Sequence, residues 1–130
     1  MNKTETIHIL LVDDEKDIFF LFSQFFKKWI DDGRVKFTFS ESGVGALDKL
    51  SSSEAKDILL ILSDINMPEM DGFELLNKVN DNYPEIETII ISAYSDDFRK
   101  KAMNLGATAY FEKPIDFQRL KDYLKEKFKF

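Results

Sequence analysis

Residues 58–64 read Ile58-Leu59-Leu60-Ile61-Leu62-Ser63-Asp64, an apolar run without alternation that ends on an acid. A strand with one face in water alternates apolar and polar residues. A run that does not alternate suits a strand buried on both faces. Thr88–Ile91 repeats the pattern, and Ile7–Val12 is a third short apolar run, ending in Asp13-Asp14. Val35–Phe39 alternates and reads as a strand; Ala109–Phe111 is a short one.

Helical spacing fills the gaps between these runs. Glu15–Ile30 is too long for a strand and sets Ile18, Leu21, Phe22, Phe25 and Trp29 on one side, before Asp31-Asp32-Gly33 breaks it. Gly43–Leu50 turns Val44, Leu47 and Leu50 inward, ahead of a Ser51-Ser52-Ser53 loop. Asp71–Asn80 carries Phe73, Leu76 and Val79 on one face, and Gly106 stops Asp97–Leu105. From Asp116 to near the end, Phe117, Leu120, Leu124 and Phe128 point inward. Five β-α units of this kind predict an α/β fold: a parallel sheet covered on both sides, with right-handed crossovers.

The chain has 130 residues, which is one domain's worth, and no linker or repeat suggests a second. Hydrophobic residues make up 44%, against disorder. There are 24 acidic and 18 basic residues, a net charge of −6, which disfavours nucleic-acid binding by this domain alone. With no cysteine, thiol and disulfide chemistry is excluded. No apolar run approaches the roughly 18 residues that span a bilayer. A soluble, cytoplasmic protein without membrane contact is expected.

In an open parallel sheet, ligands bind beyond the carboxyl ends of the strands. There the sequence places Asp13 and Asp14, then Asp64, then Ser92, then Lys113 followed by Pro114. Clustered carboxylates repel: at about 4 Å and a dielectric near 20, each like pair costs on the order of 4 kcal/mol. One lysine cannot cancel three acids. A divalent cation can, and an all-oxygen donor set selects a hard ion such as Mg²⁺. Mg²⁺ so held keeps coordination positions for a phosphate. A carboxylate can also act as nucleophile and form an acyl phosphate, with Lys113 and the metal neutralising the transferring group. Ser92 would donate a hydrogen bond to one of its oxygens.

Four blocks, Leu11 to Glu15, Asp64 to Gly72, Ile91 to Tyr94 and Gly106 to Pro114, follow in the order seen in response-regulator receiver domains of two-component signalling. The chain resembles that family over essentially its whole length. The resemblance implies a flavodoxin-like (βα)5 sandwich with strand order 2-1-3-4-5. It implies phosphorylation of Asp64 by a phosphohistidine on a histidine kinase or phosphotransfer protein. Asp14 is then a direct Mg²⁺ ligand, Asp13 acts mainly through water, and Asn66 offers its backbone carbonyl. Ser92 matches the switch hydroxyl, Lys113 the family's lysine with a cis bond to Pro114, and Tyr110 the aromatic switch residue. Tyr94 stands where the family varies; its bulk there is expected to slow water's access to the aspartyl phosphate. The chain is expected to signal to a downstream target, as a monomer or a phosphorylation-dependent homodimer, and not to be an enzyme beyond its own phosphorylation and dephosphorylation.

Other readings compete at single positions. Asp14 suits a helix cap, with Asp17 at capping-box distance. Asp71-Gly72 reads as turn and helix-start chemistry. His8, inside a strand short of the rim, reads as structural. Lys121, Lys125, Lys127 and Lys129 suit a helix C-terminus. Phe20 shares a face with Lys16, Ser23, Gln24 and Lys27 and is expected to point outward, with Phe19 at its edge. With Ile18 they form a candidate docking surface for the phosphodonor, and Phe98 one for a target. Alternative functions are a receiver cut from a larger regulator or hybrid kinase, and a Mg²⁺-dependent aspartate-nucleophile phosphatase. The phosphatase class resembles Asp-x-Asp at its nucleophile, and here position 66 is Asn. A flavin module would want a phosphate loop where Asp13, Asp14 and Glu15 stand.

Overall fold

The computed structural model describes residues 6–53, 57–93 and 95–129. Five strands, β1 (Ile7–Val12), β2 (Val35–Ser40), β3 (Ile58–Ser63), β4 (Glu87–Ala93) and β5 (Ala109–Lys113), form one parallel sheet in the order β2-β1-β3-β4-β5. The helices are α1 (Lys16–Phe25), α2 (Lys27–Asp31), α3 (Gly43–Leu50), α4 (Gly72–Asn82), α5 (Asp96–Asn104) and α6 (Phe117–Phe128).

The strands' period of two divides the core. Ile9 and Leu11 of β1 join Leu60, Leu62, Ile89, Ile91 and Phe111 under α1, α2 and α6. Leu10 and Val12 face the other way with Ile61, against Ala46 and Leu50 of α3 and Leu75 and Val79 of α4. Ile90 packs with Phe73, Leu76 and Ala102 beneath α5. Side-chain caps start four helices: Ser42 accepts from the Gly45 N–H, Asp71 from Glu74, Ser95 from Phe98 and Asp116 from Arg119.

Four expectations need correcting. The segment expected as one helix over Glu15–Ile30 breaks at Phe26 (φ −104°, ψ 12°). Its inward stripe is also rotated. Phe22 and Phe26 are fully buried, while Leu21 and Phe25 are 38% and 50% exposed. The stripe Ile18, Phe22, Phe26 steps by four residues and meets the phenylalanines of β2, with Phe22 and Phe26 each edge-on to Phe37. Val44, expected inward, is 46% exposed, and Ala46 fills the core instead. Within β3, Leu59 is 44% exposed because the register shifts there: His8 pairs with Ile58, but Ile9 pairs with Leu60.

Candidate functional site

The carboxyl ends of β1, β3, β4 and β5 carry the polar residues. Asp13 and Asp14 follow β1, Asp64 follows β3, Ser92 is the penultimate residue of β4 and Lys113 the last of β5. The ladder extends one residue past the strands: Asp13 N–H donates to the Ser40 carbonyl and Asp64 N–H to the Val12 carbonyl. That fixes both backbones at the rim. One carboxylate oxygen each from Asp13, Asp14 and Asp64 lies within 4.8 Å of the others. Asp13 and Asp64 are buried, and Asp14 is exposed. The Lys113 ammonium sits 2.9 Å from Asp13 Oδ2, 3.5 Å from Asp64 Oδ2 and 3.6 Å from Glu15 Oε1.

Three acids share one ammonium, and the charges respond. Burial, and less so the Asp13 charge, push the Asp64 carboxyl above the ordinary carboxylate range, against the pull of Lys113. Burial alone would lower the Lys113 ammonium. The hydrogen bond to Asp13 and the charges of Asp64, Asp13 and Glu15 outweigh it and hold Lys113 above the ordinary lysine value. The donor set is entirely oxygen and carries excess negative charge, which fits a hard divalent ion. Asp13 Oδ1 is occupied by the Glu15 N–H and Asp64 Oδ1 by the Ile65 N–H, so both carboxyls are held in place.

Asp14 does not cap α1. The N-cap is Glu15, and its side chain makes no cap hydrogen bond. The Asp14 carboxylate is thus not committed to that helix. The Ser92 hydroxyl is fully buried and has no hydrogen-bond partner among the described residues. Tyr110 is half-buried beside Phe98 and Leu105, and its hydroxyl donates to the Ala93 carbonyl at 2.8 Å. Asn66 is exposed in the loop after β3. The Lys113–Pro114 peptide is cis. Tyr94 lies outside the described residues.

The candidate docking residues divide. Phe20 is 65% exposed. Phe19, expected at the edge of the free face, instead stacks on Phe39 with centroids 4.7 Å apart, and Ile18 packs on the same core. Phe98, half-buried on α5, sits edge-on to Phe73 at 5.5 Å and packs against the core there. Leu21 and Phe25, not singled out from the sequence, join Phe20 among the exposed residues of α1, and Phe25 stacks on Phe117 at 4.3 Å. One further residue at the rim was not singled out from the sequence, and Asp71-Gly72, read as turn and helix start, opens α4 as expected but more tightly than the sequence shows. Glu15 reaches Lys113; its place directly after the acid pair was the available signal. Gly72 opens α4 so close to β3 that a Cβ there would lie 2.3 Å from the Asp64 carbonyl oxygen. No periodicity reveals so close an approach.

A parallel (βα)5 sheet with an acidic carboxyl rim and a lysine across it defines a class of signalling domain, and the comparisons agree. A model of the response regulator receiver domain matches residues 9–125. Sporulation initiation phosphotransferase F of Bacillus subtilis is 34% identical over 119 residues, covering 91% of this chain and 90% of that protein. The transcriptional regulatory protein ZraR of Klebsiella oxytoca is 33% identical over 123 residues; the match spans 94% of this chain but 26% of that protein. A CheY-like receiver domain from Methanospirillum hungatei superposes with a TM-score of 0.82 at 28% identity, covering 96% of this chain and 95% of that one. The chain in a CheX–CheY–BeF3–Mg²⁺ complex of Borrelia burgdorferi gives 0.79 at 25% identity, covering 94% and 89%. The chain belongs to the response regulator receiver domain family of two-component signalling.

Proposed function

We propose that Asp64 accepts a phosphoryl group from a phosphohistidine and that the resulting acyl phosphate switches the surface of the domain. The observation that carries this reading is the gathering of three carboxylates within 4.8 Å of one another, one of which, Asp64, also faces Lys113. The Asp64 carboxylate oxygen attacks phosphorus, and the P–N bond to the donor imidazole breaks. The imidazole leaves with the bonding pair and takes a proton from solvent. Lys113, already 3.5 Å from Asp64, pairs with the oxygens of the transferred group. The buried Ser92 hydroxyl gains there the acceptor it lacks, and Tyr110 gives up its bond to Ala93 to follow it. The energy difference between those arrangements biases a pre-existing two-state equilibrium.

Mg²⁺ would be held by Asp13, Asp14, Asp64 and the backbone carbonyl of Asn66, and would supply the countercharge that lets a dianionic group approach three acids. The donor is a histidine kinase or phosphotransfer protein that docks over α1, where Phe20 is exposed; a downstream protein reads the switched face. Residues 1–130 act as a single receiver domain, a switch that catalyses only its own phosphorylation and dephosphorylation, in the cytoplasm. No described helix is long and apolar enough to cross a membrane. Incubation with acetyl phosphate and Mg²⁺ tests the reading: intact mass rises by one phosphoryl group, and Asp64→Asn abolishes the gain. An unchanged mass with wild type, or an undiminished gain with Asp64→Asn, overturns it.

A further inference from the structure

We infer that the Glu15 carboxylate is a displaceable brake on Lys113: it engages the ammonium while Asp64 is unmodified and gives way to the phosphoryl group. The inference rests on the reading of Asp64 as phosphoryl acceptor and assigns that reaction a further positioning residue. An ammonium has three N–H donors. Around Lys113 stand three carboxylates, Asp13 at 2.9 Å, Asp64 at 3.5 Å and Glu15 at 3.6 Å. To neutralise a transferred phosphoryl group, Lys113 must turn donors towards its oxygens. One of the acids then loses its share of the ammonium.

The acids are not equally able to let go. Asp13 and Asp64 are buried, and each has its second oxygen fixed by a backbone N–H, that of Glu15 and that of Ile65. Glu15 differs on both counts. Its side chain is 68% exposed, and Lys113 is its one side-chain partner among the described residues. It stands at the N-cap of α1 yet makes no cap hydrogen bond, so the helix does not hold the carboxylate either. Its backbone, by contrast, is anchored: the N–H donates to Asp13 Oδ1 at 2.9 Å, and the carbonyl accepts from the Ile18 N–H at 3.1 Å. A fixed backbone thus presents a loose carboxylate to the cation of the rim.

Ion pairs this exposed are weak, so the contact breaks at little cost. An exchangeable contact has to be weak, and the effect on rate is therefore severalfold, not orders of magnitude. Two costs fall on the reaction while the carboxylate is present. Its contact with Lys113 has to be broken, and afterwards it repels the dianionic group that takes its place. Glu15→Gln keeps the length of the side chain and removes both.

The test loads wild type, Glu15→Gln and Asp17→Asn with acetyl phosphate at saturating Mg²⁺ and follows intact mass against time. Asp17 is the exposed acid in the first turn of α1, so its variant removes the same charge close by and leaves the Lys113 contact in place. Glu15→Gln should load about threefold faster than wild type, and Asp17→Asn at the wild-type rate. A Glu15→Gln rate no higher than that of wild type overturns the inference, and so does equal acceleration by both variants. A second measurement reads the displacement itself. The Lys113 Cε–Hε NMR signal should differ between metal-free wild type and Glu15→Gln. That difference should largely vanish once Mg²⁺ and beryllofluoride, an unreactive phosphoryl mimic, are bound. A difference that persists in the bound state shows that Glu15 never left Lys113, and the inference falls. Wild type that gains no mass overturns the reading of Asp64 and this inference with it; a loaded wild type beside an unaccelerated Glu15→Gln overturns the inference alone.

Discussion

At the base of the sheet, His8 is 1% exposed and both ring nitrogens are satisfied, Nδ1 by Asp57 at 2.7 Å and Nε2 by Thr38 at 2.6 Å. At the rim, Asp64 is 7% exposed and shares one ammonium with Asp13, while the Ser92 hydroxyl has no partner. One sheet therefore holds two buried polar clusters in opposite condition. The base cluster joins β1, β2 and the approach to β3 with every strong donor and acceptor of the imidazole used. The rim cluster carries excess like charge and an idle hydroxyl, both of which an incoming phosphoryl group and a cation would resolve. Buried polar groups left unsatisfied cost stability, but the Thr88 hydroxyl near the start of β4 also lacks a partner among the described residues, so an idle hydroxyl alone does not mark chemistry; the surplus charge beside Ser92 is what sets the rim apart.

That contrast breaks first if His8 proves dispensable. His8→Ala removes a buried ring and leaves Thr38 without its partner, a loss of about 3 kcal/mol by chemical denaturation. The folded fraction should still accept phosphoryl from acetyl phosphate at the wild-type rate. Lys113→Met comes next. It strands Asp13 and Asp64 with no cation, at a cost of about 2 kcal/mol, moderated because the rim is open to water. Mg²⁺ should restore most of that loss, because an ion that binds only the folded rim stabilises it by mass action. Thermal melts with and without EDTA read both numbers. The raised Lys113 value sets the pH window: its contribution is complete at neutral pH and is lost only as pH climbs past the ordinary lysine range. Asp64→Asn should then reverse the sign and raise stability by roughly 1 kcal/mol at neutral pH. Because the folded carboxyl is raised, wild-type stability falls as pH rises from the ordinary carboxylate range through that raised value. The variant lacks this fall.

Much of this was legible in the sequence, for a physical reason. Strands buried on both faces are mostly apolar, so 58–62 and 88–91 declared themselves even with Thr88 in the second, and a parallel sheet delivers whatever follows its strands to one rim. Asp13, Asp14, Asp64 and Lys113 could therefore be brought together without coordinates. The phase of the first helix could not. Ile18, Phe19, Phe20, Leu21, Phe22, Phe25 and Phe26 are all apolar, so more than one stripe satisfies helical spacing. The choice falls to partners elsewhere in the chain: Phe37 and Phe117 take Phe22 and Phe26, Phe39 takes Phe19, and Phe25 is left half exposed with its ring on Phe117. The bulge that exposes Leu59 and the clearance at Gly72 are likewise properties of two backbones meeting, and no single stretch records them.

The smallest effect belongs to Asp57, and it sharpens the contrast because its sign opposes that of Asp64. The hydrogen bond from His8 lowers the Asp57 carboxyl below its ordinary value, against the opposing effect of burial and with smaller help from the electrostatic pull of His8 and Lys36. A lowered carboxylate contributes stability that is present above the ordinary range and lost as pH falls through the folded value. Asp57→Asn keeps a carbonyl to accept from the ring but removes the charge. The expected result is a small drop in melting temperature at neutral pH and a flatter acid limb. The side chain is 68% exposed, so added salt should shrink the difference further. Wild-type and variant melts across an acid pH series at two ionic strengths decide it. A loss equal to that of His8→Ala would mean the carboxylate, not the ring, holds the base together. A gain like that of Asp64→Asn would mean the base carries surplus charge too, and the distinction between architecture and chemistry would fall.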